Sequence, residues 1–129
     1  MYEYEIREVT KVVDGDTVDV VFDVGFSMFR KERIRLNGID TPESVTSDVH
    51  EKKLGLESKQ FLQMWLSKQT KIWAKTTKKD DKYGRILAEV YGDDGVCVNQ
   101  LMVEKGFAWS YDGVTKQKDF AALLERRKE

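Results

Sequence analysis

Thr17-Val18-Asp19-Val20-Val21-Phe22-Asp23-Val24 is the stretch on which the fold turns. Val18, Val20, Phe22 and Val24 share one parity and Asp19 and Asp23 the other, the period of two of a half-buried strand. Upstream, Ile6 to Val13 is β-branched and ends at Asp14-Gly15. Downstream, Met28 to Leu36 puts Ile34 and Leu36 on one face and Arg33 and Arg35 on the other. Three successive strands are predicted. Residues 54 to 68 contain no Gly or Pro after Gly55, and Phe61, Leu62, Trp65 and Leu66 recur at helical spacing. Two more strand-like runs follow, Thr70 to Thr77 and Arg85 to Tyr91, the latter with Ile86, Ala88 and Val90 on one face. Asn99 is expected to cap a short helix through Lys105, closed by Gly106, and Asp119 to Lys128 to form a last one.

Five strands with a helix between the third and fourth is the order of an OB-type Greek-key barrel. The expected fold is therefore α+β, mainly β, with about three helices, although the order alone permits other α+β folds. With 129 residues, no repeat and no Pro- or Ser-rich linker, residues 1–129 read as a single domain. Hydrophobic residues at 40% and 14 aromatics supply a core, which argues against disorder. Cys97 is alone, so neither an internal disulfide nor a cysteine zinc site is available. No run approaches the about 18 apolar residues of a membrane span, and Met1-Tyr2-Glu3-Tyr4-Glu5 lacks the order of a secretory signal. No membrane partner is expected. The reading leans cytoplasmic, although a mature secreted form would look the same.

A net charge of -1 does not point to a polyanion, but the charges are segregated. Residues 1 to 24 hold seven acids against two bases, residues 71 to 85 six bases against two acids, and residues 30 to 35 four bases around one Glu. Such a chain could set a basic rim around an acidic centre, as a phosphodiester beside a bound cation requires. An ordinary mixed surface would read the same way.

Three motifs carry chemistry only in combination. Asp14-Gly15-Asp16-Thr17 alone is a common turn. In Asp40-Thr41-Pro42-Glu43 the only proline restricts itself and Thr41, which suits an oxygen cage of two carboxylates and the Thr41 carbonyl. Calcium takes oxygen ligands of those kinds, but a helix-preceding turn would read identically. Asp81-Lys82-Tyr83-Gly84-Arg85 delivers Arg85 to a strand start, and Arg35 precedes Asp40 by five residues. Two arginine forks could bind phosphate oxygens beside a cation held by Asp16 and Asp40.

These three motifs, in this order, closely resemble the staphylococcal nuclease family. Val98-Asn99-Gln100-Leu101 and Gly106-Phe107-Ala108-Trp109 also resemble its later helix and the segment after it, so the likeness spans roughly residues 6 to 112. The resemblance implies the OB barrel, dependence on Ca²⁺ and hydrolysis of DNA and/or RNA with 3′-phosphate products. It makes Asp16 and Asp40 metal ligands with the Thr41 carbonyl, and Arg35 and Arg85 the arginines on the scissile phosphate. Glu43 matches the residue that positions or deprotonates water. Asp81, Lys82 and Tyr83 match a stretch near the nucleotide pocket. The later segment departs from the pattern, reading Trp109-Ser110-Tyr111-Asp112, where Trp109 or Tyr111 could stack a base. The 16 to 35 hairpin, with Phe26, Met28 and Phe29, is longer than in the best-known member. The alternative is a noncatalytic nucleic-acid or protein-binding module; none of the five key positions is replaced. The expected state is a monomer. His50 is expected in a solvated loop, Cys97 as a small buried residue, and Trp65 and Trp73 on core-forming segments.

Overall fold

The computed structural model describes residues 2–80, 83–112 and 118–128, with side chains for all of these but residues 78–80. Five strands close into a barrel: β1 (Tyr2–Asp14), β2 (Thr17–Asp23), β3 (Phe29–Leu36), β5 (Ile72–Asp80) and β6 (Ile86–Tyr91). Around the barrel they run β1-β2-β3-β6-β5, and β5 returns to β1. All neighbours are antiparallel except β3 and β6, which pair in parallel with Ile34 beside Ile86 and Arg35 beside Leu87. β1 meets β5 over Tyr2 to Ile6 and β3 meets β6 over Ile34 to Leu36, and closure turns one face of each barrel strand inward. The expected OB-type barrel is the fold observed.

The parity read from β2 is the parity of the core. Val18, Val20 and Phe22 are buried with Ile34 and Leu36, while Asp19 and Asp23 stay half-exposed. Helix α1 (Val49–Lys68) adds Leu54, Ser58, Leu62 and Leu66, a four-residue stripe that packs against β1 and the barrel core. It starts five residues before the predicted position. Asp48 caps it by accepting from the His50 and Glu51 N–H groups, and the exposed Val49 and His50 conceal the first turn from a periodicity argument. His50 therefore sits on a helix, edge-on to Phe120, not in a loop.

Helix α2 (Val98–Glu104) corrects a second expectation. Its N-cap is Cys97, buried and without a side-chain cap bond, while Asn99 is buried one residue inside the helix. The Asn99 amide is used for tertiary bonding: Oδ1 accepts from Val90 N at 3.1 Å, and Nδ2 donates to the Asn37 and Ala88 carbonyls at 2.8 and 3.1 Å. These bonds to Val90 N and to the Asn37 and Ala88 carbonyls, the last of which also accepts from Asn37 N at 2.9 Å, outcompete the capping role. Trp73 lies on a core-forming strand as expected, facing outward from β5 and 42% exposed. Helix α3 (Phe120–Arg127) begins after Asp119 as predicted, with the Asp119 carboxylate accepting from Ala122 N.

A two-residue pair has no counterpart in the sequence reading. β4 (Ile39–Asp40) pairs antiparallel with β7 (Trp109–Ser110), Asp40 opposite Trp109, and Tyr111 N donates to Gly38 O at 2.8 Å. This pair draws the segment after α2 against the exit of β3. Among the described residues no helix is long and apolar enough to cross a membrane.

Candidate active site

Asp16 lies in the turn just before β2 and Arg35 near the end of β3, beside Thr17 in the antiparallel register, so the first and second motifs meet across one ladder. The turn that delivers Asp16 depends on close approach. A Cβ on Gly15 would lie 2.9 Å from Ser58 Cβ and 3.0 Å from Thr41 Oγ1, so only glycine lets the turn wedge between α1 and Thr41. Asp16 is then fixed by three bonds. Its carboxylate accepts from Thr17 Oγ1 at 3.0 Å and Thr41 N at 3.3 Å, and its carbonyl accepts from Leu36 N at 2.8 Å.

Arg35 is 7% exposed, although its parity faces away from the Ile34 and Leu36 core. Its Nη1 donates to the Leu36 carbonyl at 2.9 Å. Its Nη2 stands 3.4 Å from Asp16 Oδ2 and 3.5 Å from Asp40 Oδ1. One guanidinium nitrogen is thus shared by two largely buried carboxylates, which repel each other without a cation between them. The Tyr111 ring lies 6.0 Å from Arg35 Cζ, on the outer limit of a cation–π contact. Burial pushes the neighbouring Asp14 carboxyl above its ordinary value; its Gly15 and Ser44 hydrogen bonds pull the other way and the Asp16 charge adds to the rise.

Pro42 and Thr41 are buried, so the Asp40 to Glu43 turn is held on both sides. Glu43 is packed from behind by α1: a Cβ on Gly55 would lie 2.4 Å from the Glu43 carbonyl carbon and oxygen. Its N–H donates to Glu51 Oε2 at 3.1 Å. The same Glu51 oxygen accepts from Lys118 Nζ at 2.8 Å, and Lys118 Nζ lies 3.8 Å from Glu43 Oε1. Although burial pushes the Glu51 carboxyl up, the bonds from Lys118 and Glu43 N hold it below its ordinary value. Lys118 is raised, chiefly by the Glu51 bond and then, against burial, by the charges of Glu51, Glu43 and Asp40.

The described part of the third motif approaches by register. With Ile34 beside Ile86 and Arg35 beside Leu87, Arg85 shares the parity of Leu87 and enters on the face of the sheet that carries Arg35. It is half-buried, with Cζ 5.1 Å from the ring centre of Tyr83, itself 70% exposed. Asp81 and Lys82 lie outside the described residues. Trp109 is removed from the base-stacking candidates. It is 5% exposed, donates from Nε1 to the Asp119 carbonyl at 2.9 Å and meets Phe120 edge-on, so no ring face is open to a base. Tyr111 retains the position beside Arg35.

Asp16 and Asp40 bring two carboxylates to one guanidinium nitrogen, and such an all-oxygen donor pair suits a hard divalent cation rather than a soft one. The described residues gather no cluster of three or more His, Cys, Asp or Glu as a metal cage. A cation here would accordingly take the rest of its shell from carbonyl and water, as calcium does. The sequence reading missed Glu51, Gly55 and Lys118. Gly55 left a trace, since a glycine inside a helical pattern marks close approach by another backbone; Glu51 and Lys118 left none.

A sequence profile described as "Staphylococcal nuclease homologue" matches residues 33–129. Among similar proteins, one from Bacillus anthracis described as uncharacterized is 37% identical over 101 residues, covering 78% of this chain and 44% of that protein. An "Uncharacterized endonuclease" of Escherichia coli is 36% identical over 104 residues, covering 81% of this chain and 60% of the other. A "Micrococcal nuclease" of Shigella flexneri is 32% identical over 133 residues, covering 95% and 67% respectively. The chain thus spans about half the length of the first two relatives.

Proposed function

The chain belongs to the staphylococcal nuclease family, and from that premise we propose that it is a calcium-dependent nuclease cleaving phosphodiester bonds of DNA and/or RNA. The observation that carries this reading is the convergence of Asp16 and Asp40 on a single guanidinium nitrogen of Arg35. Evolution of a merely structural barrel has no need of two carboxylates and a guanidinium at one largely buried corner, where hydrophobic replacements would be equally or more stable.

Asp16, Asp40 and the Thr41 carbonyl would hold Ca²⁺. When bound, the cation supplies Lewis acidity and offsets the negative charge that would otherwise repel a phosphate. Asp16, Asp40 and Glu43 sum to -3, and Arg35 and Arg85 restore only two charges. The remaining steps belong to the chain. Arg35 and Arg85 donate to non-bridging phosphate oxygens, on which charge grows as water attacks in line. Glu43 orients that water and accepts its proton; the bond from phosphorus to the 5′ oxygen breaks, and the leaving oxygen is protonated by solvent. Products carry a 3′-phosphate and a 5′-hydroxyl. Tyr111, and Tyr83 beside Arg85, offer rings against which a nucleotide can rest.

The direct test is digestion of supercoiled plasmid, single-stranded DNA and RNA with calcium and with chelator, reading product ends. Cleavage only with calcium, with 3′-phosphate ends, supports the proposal. Equal inactivity in both would end it, and tight binding without cleavage, unchanged in Glu43→Gln, would favour a binding module.

A further inference from the structure

The Glu43 side chain is 52% accessible, yet the water it is assigned to orient needs a carboxylate fixed to within a fraction of an ångström. Two groups outside the three motifs restrain it. Glu51, on the first turn of α1 and 8% exposed, fixes the Glu43 backbone by accepting its N–H, and its own N–H is bonded to the Asp48 carboxylate. Lys118 bonds to that same Glu51 oxygen and faces the Glu43 carboxylate at 3.8 Å. Lys118 is itself anchored through its neighbour. The Asp119 carbonyl accepts from the Trp109 indole, Trp109 pairs with Asp40 across β4 and β7, and the Asp119 carboxylate caps α3. The C-terminal helix is thereby joined to the site through one lysine.

We propose that Lys118, seated on Glu51, is a positioning residue that sets the orientation of the Glu43 carboxylate for the attacking water. The proposal rests on the nuclease reading and adds to it a residue that acts through Glu43 rather than on the substrate. Its position explains the choice. Lys118 is a single cation whose strongest partner is a buried acid, so it is held at Glu51 and offers Glu43 charge without replacing its freedom to accept a proton. Among the described residues its carboxylate neighbours within 4 Å are Glu51 and Glu43, so its charge is directed at the Glu43 turn.

The test compares kcat and KM for single-stranded DNA cleavage in calcium for the full chain, Lys118→Met, Lys118→Arg and Glu51→Gln, with the melting temperature of each, and repeats Lys118→Met in the Glu43→Gln background. The expected result is a kcat loss of roughly ten- to a hundredfold in Lys118→Met with KM unchanged, as when a carboxylate's orienting partner is removed. Lys118→Arg recovers most of it, and in Glu43→Gln the same change has little further effect, because residues acting as a unit are not additive. A raised KM with intact kcat would make Lys118 a substrate contact, and equal losses in both backgrounds would make it independent of Glu43; either overturns the proposal. If Lys118→Met does not fold, Glu51→Gln reads the same link by removing the charge that seats Lys118, and an unchanged kcat there overturns it. An inactive wild type in calcium overturns the nuclease reading itself, whereas an active wild type indifferent to Lys118→Met overturns only this role.

Discussion

The corner where β2, β3 and β4 meet and the turn running into β6 each present one arginine to the same proposed phosphate, and they are built in opposite ways. Arg35 is 7% exposed and spends its donors on the Leu36 carbonyl, Asp16 and Asp40. Arg85 is half-buried beside a ring that is 70% exposed. A charge built into the core must be satisfied for the protein to fold, while the fold depends less on a charge at a half-buried strand entrance. Under the proposed function the first region would carry fold and chemistry together, and the second chemistry with less of the fold.

Removal of Arg35 is expected to have the largest effect. In Arg35→Ala two buried carboxylates lose the cation between them, and unfolding in urea without calcium should show a loss of about 3 to 5 kcal/mol along with loss of cleavage. An unchanged urea midpoint would break the contrast. Arg85→Ala should cost less stability than Arg35→Ala, about 1 kcal/mol. Its kcat should nevertheless fall on the order of a hundred- to a thousandfold, the loss seen when one oxyanion donor is removed. A stability loss comparable to that of Arg35→Ala would make the two regions alike.

Gly55→Ala sharpens the comparison from behind the site. Its Cβ would meet the Glu43 carbonyl at 2.4 Å, so the Asp40 to Glu43 turn must move. Thermal or urea unfolding should register about 1 to 3 kcal/mol of overpacking. kcat should fall with it, and a stability loss with full activity would show that the turn tolerates displacement. The smallest effect belongs to the surface. Asp19 and Arg33 form a pair at 2.7 Å with Arg33 half-exposed, so Asp19→Asn should alter stability at pH 7 by less than about 1 kcal/mol. The Arg33 bond holds the Asp19 carboxyl below its ordinary 3.8, with burial opposing. Because the folded value is depressed, that contribution is present above pH 3.8 and is lost as pH falls through the lower folded value, so wild type and variant should converge in acid.

What was legible in the sequence follows the same division. The strands show through because one face of each is buried and alternation is then enforced, as Val18, Val20 and Phe22 demonstrate. Asp16 and Asp40 lie by glycine- and proline-marked turns and Arg35 on a strand, and it is the resemblance of the three ordered motifs to the family that implies one corner for them. The start of α1 was illegible because its first turn exposes Val49 and His50, so no period appears there. β4 and β7 are two residues each, too short to carry any period. Asn99 looks like a cap but is drawn inward by Val90 N and two carbonyls that only the barrel brings together. Trp109 reads as an aromatic at a pocket, yet it bonds to Asp119 ten residues away and is buried by α3. The Lys118 to Glu51 bond joins residues 67 apart, a distance at which no local pattern speaks.

The central claim is that Asp16, Asp40 and the Thr41 carbonyl form a seat for a hard divalent ion, and melting with and without calcium tests it without reference to catalysis. At a calcium concentration 100 times its dissociation constant the wild type should gain about 2.7 kcal/mol, with magnesium giving less, and Asp40→Asn should lose most of that gain. A wild type that melts at the same temperature with and without calcium, or an Asp40→Asn variant stabilised as fully as wild type, would contradict it.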